Sequence, residues 1–330
     1  LADDDLGLLV YDVTAPTAPT LIGFLSTAGW SLDVHVSGDI AYVANRVGLL
    51  VIDVTEPELP KQLLFHDTPG YARHVYSEGL KVHMALLTGA ISLDVTAPTA
   101  PTLSATLPTQ GLACELIVDE GIGYLAEYRA GFSVIDANQE PLMEVMGSVL
   151  TPGSAVDLAR DDALIYLATL DAGLRIIDVS APDAPFEIAS LDDRGHGHRV
   201  HRQGELAFVA DGLSGLQVID VSAPDAPTPI GRLDTPTRGT WGLDVVGDRG
   251  YLAQGTEGLT IADLSTPENP AALSTLVLEG DARDVQVIGP TAYVVAGELG
   301  GLHIVDVTLS EAPTSVAQLG DLGDAQSLHV

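Results

Sequence analysis

The chain of 330 residues carries 46 acidic against 14 basic side chains, a formal net charge of −32 at pH 7. A field of that sign repels phosphate backbones and argues against nucleic-acid binding. Hydrophobic residues make up 46%, ample for a core, yet no apolar run approaches the roughly 18 residues needed to cross a bilayer, so no membrane insertion is expected.

Only Lys61 and Lys81 are lysines; the other basic residues are arginines. A lysine-poor acidic surface suits a saline setting, and a GC-rich genome produces the same bias. The single cysteine, Cys114, excludes an intramolecular disulfide and stands at a strand position where a buried, inert thiol is the common case. No signal peptide, lipobox or anchor is visible. The chain starts inside a repeat, so trimmed ends are expected and that absence says nothing about compartment.

In chain order, the N-terminal Leu1-Ala2-Asp3-Asp4-Asp5-Leu6-Gly7 aligns residue for residue with Val209-Ala210-Asp211-Gly212-Leu213-Ser214-Gly215. That places Leu1 near the end of a second hairpin strand. At Gly7 begins a phrase said eight times: Gly, an apolar residue, three mostly β-forming residues, Asp, then usually Val-Ser/Thr-x-Pro-x-x-Pro. Its glycines are Gly7, Gly48, Gly89, Gly131, Gly173, Gly215, Gly258 and Gly301, each followed five residues later by Asp12, Asp53, Asp94, Asp136, Asp178, Asp220, Asp263 and Asp306. A period near 42 throughout the chain predicts one repeat architecture. A single domain over 1–330 is expected despite the length, because each unit needs its neighbours to bury its apolar faces.

Residues 31–66 show one unit strand by strand. Leu32-Asp33-Val34-His35-Val36 alternates, Ser37-Gly38-Asp39 is a tight-turn signal, and Ile40-Ala41-Tyr42-Val43-Ala44 completes a hairpin. The phrase strand Gly48-Leu49-Leu50-Val51-Ile52-Asp53-Val54 follows, then Thr55-Glu56-Pro57-Glu58-Leu59-Pro60, then a fourth strand Lys61-Gln62-Leu63-Leu64-Phe65-His66. Proline cannot donate a ladder hydrogen bond, so the double-proline loop must lie outside central strands, as a rigid connector that fixes register. No segment has a 3.6-residue apolar stripe, so helix should be near absent. Four antiparallel strands per unit, here named A to D from inside to outside, predict an all-β fold: a β-propeller.

At the far end, Gln326-Ser327-Leu328-His329-Val330 reads as a strand A with no hairpin after it. The two ends complete each other, about six residues short of eight full units of about 42. The prediction is a single eight-bladed propeller of four-stranded antiparallel blades, one blade closed by both termini. Closure of that kind removes exposed sheet edges.

The phrases Gly-Leu-Leu-Val-Ile-Asp-Val (48–54), Gly-Leu-Arg-Ile-Ile-Asp-Val (173–179), Gly-Leu-Gln-Val-Ile-Asp-Val (215–221) and Gly-Leu-His-Ile-Val-Asp-Val (301–307) resemble the LVIVD repeat. The resemblance implies a propeller from bacterial or archaeal cell-surface or secreted proteins, hence an extracellular or surface location, and implies no activity. The sequence departs from the pattern at Ala137-Asn138-Gln139-Glu140-Pro141, where the proline pair is lost, and at Leu309-Ser310-Glu311-Ala312-Pro313, where one proline remains. Those two outer loops are expected to be reshaped.

One aspartate per blade at an identical strand end argues for a structural task in every blade: accepting the backbone N–H of the following Ser/Thr turn. The acidic groups Asp3-Asp4-Asp5, Asp161-Asp162 and Asp192-Asp193 could offer oxygens to Ca²⁺, but none has the Asp-x-Asp-x-Asp-Gly loop, and solvated acidic loops are the simpler reading. The stretch Asp192-Asp193-Arg194-Gly195-His196-Gly197-His198-Arg199-Val200-His201-Arg202 is the least repeat-like. In an extended strand His196 and His198 point one way and His201 the other, so a three-histidine metal site is hard to build there. No cofactor is assigned.

Function in a repeat protein is best sought where the repeat varies. The D-to-A and B-to-C connections share one rim, and on it fall Trp30, Arg46, Tyr71, Arg73, Tyr128, Arg129, Arg194, His196, His198, Arg199, Arg238, Trp241 and Arg283. Guanidinium forks suit carboxylate or sulfate, and indole rings suit sugar faces. An anionic or carbohydrate ligand, or a protein partner, is the sharp expectation; arginines paired with neighbouring aspartates is the bland one. Near the channel, Asp33, His74, Glu115, Asp157, Arg199, Asp244, Asp284 and Ser327 are expected to share one ring, with solvation of a wet channel as its default role.

Three functions are thus in view. The first is a non-catalytic binding propeller. The second is a structural protein that polymerises or tiles by strand exchange through the blade made of two ends. The third is a cofactor-dependent enzyme, against which stands the absence of Cys-x-x-Cys-His, Gly-x-Ser-x-Gly and any triad spacing. Oligomeric state is not readable.

Overall fold

A computed structural model describes residues 1–3, 6–15, 19–27, 29–109, 111–192, 196–235, 239–297, 300–319 and 325–327. It forms eight four-stranded antiparallel sheets in a ring, an eight-bladed β-propeller. No helix occurs among the described residues, so none is long and apolar enough to cross a membrane.

Blade 2 is typical: Ser31–Ser37 innermost, then Ile40–Asn45, Gly48–Asp53 and Lys61–Asp67 outermost. Blade 1 combines the two chain ends. Ala325–Ser327 pairs with Ala2–Asp3, which pairs with Gly7–Asp12 and then Thr20–Leu25. This pairing lies within one chain.

Burial follows the layer order. Strands B and C are almost wholly buried, as in Ile40–Asn45 and Gly48–Asp53, whereas the outermost Lys61–Asp67 is exposed or half-exposed. Both faces of the middle strands are covered because the core lies between blades. Tyr42, Leu49 and Val51 of blade 2 pack against Val75, Met84 and Ile91 of blade 3, and seven similar clusters recur around the ring. Full burial of each such aliphatic side chain contributes about 1.5–3 kcal/mol. A unit alone would leave those faces wet, which is why the repeat must close.

The repeated aspartates do the expected task in every blade. Oδ1 of Asp12, Asp53, Asp94, Asp136, Asp178, Asp220, Asp263 and Asp306 accepts the N–H of the residue two places on, at 2.8–3.0 Å. A β-bulge interrupts the C-to-D pairing of each blade, for example between Val218 and Ile219. The double-proline loop has a second role that the sequence does not announce. It packs on strand D of the preceding blade, where a Cβ on Gly231 would lie 1.9 Å from the Pro267 carbonyl oxygen.

Candidate functional site

Strand direction alternates within each blade, so the D-to-A and B-to-C connections all emerge at one end of the channel, its mouth. The innermost strands are Ser31–Ser37, Ala72–Glu78, Glu115–Asp119, Ala155–Asp161, Arg199–Gln203, Gly242–Val246, Asp281–Ile288 and Ala325–Ser327. Polar side chains of the first seven form two tiers along the channel.

In the upper tier the His74 Nε2 lies 3.6 Å from Asp33 Oδ2 and 3.1 Å from Glu115 Oε1, while Arg199 Nη1 lies 3.3 Å from Asp157 Oδ1. Two of these carboxylates also clasp the next blade: Asp33 accepts the Val75 N–H at 3.0 Å and Asp157 the Val200 N–H at 2.8 Å. The ring therefore provides inter-blade fastenings. Burial pushes the Glu115 carboxyl up to about 7 against the pull of His74. Burial alone would lower His74, but Glu115 and Asp33 outweigh it and hold the imidazole above its usual value. Burial likewise raises Asp157 and Asp284.

One member of the expected ring is misplaced. Asp33 and Arg199 pair with Ala44 and Ala210 at the ends of their B strands, but Asp244 pairs with Tyr251, two residues short of Ala253. Gly242 fills the upper slot of blade 7, opposite Ala253. Asp244 belongs to the lower tier, where it accepts the Val287 N–H at 2.8 Å, as His35 Nδ1 accepts the Ser77 N–H at 2.9 Å. Ser327 keeps its register opposite Ala2.

Above the upper tier opens a cavity of about 550 Å³ lined by Arg73, Cys114, Tyr128, Val156, Leu170, His198, Arg199, Trp241, Asp281, Arg283 and Asp284. Six of the expected rim residues meet here from five blades: Arg73, Tyr128, His198, Arg199, Trp241 and Arg283. His198 packs on Trp241 with ring centroids 4.4 Å apart. Burial, with His196 and Arg199 nearby, pushes His198 down to about 4. Arg283 lies over Gly297, where a Cβ would stand 2.3 Å from its Cζ. Cys114 is half-buried rather than buried and faces the cavity, its sulfur 4.0 Å from Arg73 Nη1. Burial raises its thiol, so it is a poor nucleophile.

Tyr128 has a backbone reason to stand out. Its φ is +43°, in the turn position that Gly212 (+47°) and Gly255 (+54°) occupy in blades 6 and 7. The turns match, since the carbonyls of Tyr128, Gly212 and Gly255 accept the N–H groups of Ala155, Thr240 and Ala282. A non-glycine residue held there is strained, and such strain gathers at functional sites.

Trp30, Arg46 and Tyr71 assemble apart from that cavity, with Arg46 Cζ 4.3 Å from the Trp30 ring centroid and 4.9 Å from that of Tyr71. Arg129 lies 5.9 Å from the Tyr128 ring and borders a neighbouring groove. His196 bonds the Leu170 carbonyl through Nδ1 at 2.6 Å. Arg194, Arg238, Asp4, Asp5 and Asp193 lie outside the described residues. Asp3 is fully buried and caps the Leu6 N–H at 2.8 Å, not a solvated acid. Among the described residues no group of three His, Cys, Asp or Glu side chains is arranged to hold a metal ion.

The arginines divide by location. Arg160, Arg175, Arg202, Arg232 and Arg249, all off the rim, are each ion-paired to a carboxylate at 2.5–3.4 Å. On the rim Arg199 pairs with Asp157, but Arg46, Arg73 and Arg129 have no carboxylate partner among the described residues. The bland expectation, which concerned the rim arginines, fits Arg199 and does not fit these three.

The LVIVD repeat profile matches residues 1–27, 28–63, 152–193, 194–235, 237–276 and 279–320, more than half of the sequence. The chain belongs to the LVIVD repeat family. The stretch between the second and third matches contains blade 4, whose outer loop has lost its proline pair. No curated protein matches this LVIVD chain in sequence. Similar solved structures include the computationally designed Ika8 protein, at 8% identity and TM-score 0.73 over 92% of this chain and 96% of that one. Apo AztD from Citrobacter koseri aligns at 14% and 0.68 over 98% and 95%. BamB from Moraxella catarrhalis aligns at 11% and 0.69 over 92% and 90%. At these identities the likeness is one of fold alone.

Proposed function

We propose that this LVIVD protein is a non-catalytic binding propeller of the cell exterior that takes the anionic group of a ligand into the mouth cavity. The observation that carries the reading is the division of the arginines: among the described residues those off the rim are each paired with a carboxylate, whereas Arg73 at the mouth has none. An exposed guanidinium beside aromatic faces, on a chain of charge −32, is a local reversal of the general field. Planar forks of this kind bind carboxylate or sulfate in two-point fashion. Trp241, 41% exposed, offers the adjoining flat apolar face. The strained Tyr128 completes the wall. Family membership supports an exterior location.

The chain has only two tryptophans, Trp30 and Trp241, and both stand on the rim, so intrinsic fluorescence reports binding directly. Glucuronate, a sulfated monosaccharide and glucose, titrated against the Trp30→Phe protein, read the mouth through Trp241 alone. The anionic sugars are expected to shift the emission and glucose not. Arg73→Ala should weaken that binding by about tenfold, as loss of a charged hydrogen bond does. Equal responses to all three sugars, or none at millimolar concentration, would refute the reading.

A further inference from the structure

The Trp30–Arg46–Tyr71 assembly is a built feature outside the mouth cavity. Trp30 and Tyr71 stand one repeat apart in successive D-to-A connections, and Arg46 comes from the B-to-C turn between them. The turns that carry them are held firmly. The Arg46 N–H donates to the Trp30 carbonyl at 2.8 Å and the Leu87 N–H to the Tyr71 carbonyl at 2.9 Å. Gly29, at φ +97°, lets the chain pass Asn45, whose side chain is fully buried beneath; a Cβ there would meet Asn45 Oδ1 at 2.8 Å.

With its Cζ set over both rings, the Arg46 guanidinium still carries its N–H donors. Among the described residues none of those donors meets an acceptor, and neither the Trp30 indole N–H nor the Tyr71 hydroxyl has a hydrogen-bond partner. Three donors of different chemistry thus share one exposed platform, with Trp30 44% exposed. A guanidinium fixed by aromatic contacts has lost much of its rotamer freedom in advance, so the ordering cost of binding is small.

We propose that this platform is a second ligand subsite, and that it binds an acidic sugar: the carboxylate on the Arg46 fork, the ring against the exposed part of Trp30, and hydroxyl oxygens accepting from the indole N–H and the phenol. The net charge narrows the class further. A densely sulfated polymer would bring many charges within the Debye length, about 8 Å at physiological salt, of a chain carrying −32. A glycan with one isolated uronic acid brings a single charge to this locally positive spot. The ligand class is therefore a mostly neutral oligosaccharide bearing a carboxylate. The subsite shares a face with the mouth cavity but stands on different residues.

The test uses the Trp241→Phe protein, in which Trp30 is the remaining tryptophan. It is titrated with a neutral trisaccharide capped by glucuronate, with the uncapped trisaccharide, and with a fully sulfated oligosaccharide of equal length. The capped sugar is expected to change Trp30 emission and to bind about tenfold more tightly than the uncapped one. Arg46→Ala should weaken it by about tenfold, and Arg46→Lys by about fivefold, because lysine keeps the charge but loses the planar fork. Equal affinity for capped and uncapped sugars, no change of Trp30 emission at millimolar concentration, indifference to Arg46→Ala in a protein with an unchanged melting profile, or tighter binding of the sulfated oligosaccharide would each overturn the proposal. The Trp30→Phe protein separates the two sites. A sugar that perturbs Trp241 there while leaving Trp30 silent in the other background sinks this subsite and leaves the mouth reading intact, and the reverse pattern sinks only the mouth.

Discussion

Replacing Tyr128 with glycine should make the turn more comfortable and the mouth less able to bind. At φ +43° an L-residue is about 1–2 kcal/mol worse off than glycine. Glycine's larger loss of freedom on folding returns about 0.5–1 kcal/mol of that. Removing the ring also gives up its contact with Arg129, 5.9 Å away, worth about 0.5 kcal/mol at an exposed site. Tyr128→Ala loses the ring too, yet keeps the strained backbone. The difference between the two variants therefore isolates φ: the glycine variant should be the more stable by about 0.5–1 kcal/mol. In a chain of this size that is a shift in melting temperature of only about 1–2 °C, so urea unfolding with a common m-value is the better assay. Gly212→Ala in blade 6 is the mirror experiment and should cost at least as much, because its Cβ would also press on His196 at 3.1 Å. If Tyr128→Ala matches or exceeds Tyr128→Gly, the left-handed turn is not strained and the argument for a retained side chain collapses. If the two differ as expected but both bind anionic sugars as the unaltered protein does, the strain is real and its proposed purpose is wrong.

Three further outcomes follow from the channel and the blade contacts. The folded Glu115 titrates near 7, above its ordinary 4.5, so the native state binds that proton more tightly than the unfolded chain and its stabilising effect fades as pH rises from about 4.5 to beyond 7. Glu115→Gln should flatten that loss by about 2 kcal/mol between pH 5 and 8, measured by urea unfolding; parallel curves for the two proteins would reject the assignment. His198 stays neutral until about pH 4, so quenching of Trp241 by the imidazolium, read in the Trp30→Phe protein, should show a midpoint near 4, and one near 6.5 would mean the stack is open to water. Gly231→Ala drives a Cβ into the Pro267 carbonyl and should destabilise by about 1–3 kcal/mol; a neutral result would show that the proline loop does not press on the neighbouring blade.

The parts of this molecule that are legible in sequence are those each blade must repeat. Eight glycines and eight aspartates at constant spacing required eight copies of one strand and turn, and the alignment of Leu1–Gly7 with Val209–Gly215 required the ends to share a blade. Relations between blades were less visible. The loop that Pro267 and Pro270 stiffen touches Gly231 of the blade before it, and no periodicity within a unit signals that contact. Asp244 shows the same limit at the channel: one Asp near the start of a strand looked like another, and only the pairing of Gly242 with Ala253 showed that the strand enters two residues out of step.

The rim residues were found by the opposite logic, from where the repeat stops agreeing with itself, and that explains both what the sequence reading caught and what it missed. Membership of one rim follows from strand direction alone. Membership of one cavity depends on how far each side chain reaches across the channel, so Arg73, His198, Trp241 and Arg283 meet while Arg46 is taken up by Trp30 and Tyr71. The same reach decides charge. Arg160 and Arg202, on strands A, find Asp119 and Asp161 one blade away, because strand positions recur and so bring a fixed neighbour. Arg46, Arg73 and Arg129 come from turns or strand starts at the mouth, where none of them meets a carboxylate among the described residues. An arginine without a repeated partner is available to something outside the chain, and in a protein of this charge the proposed ligand rests on that availability.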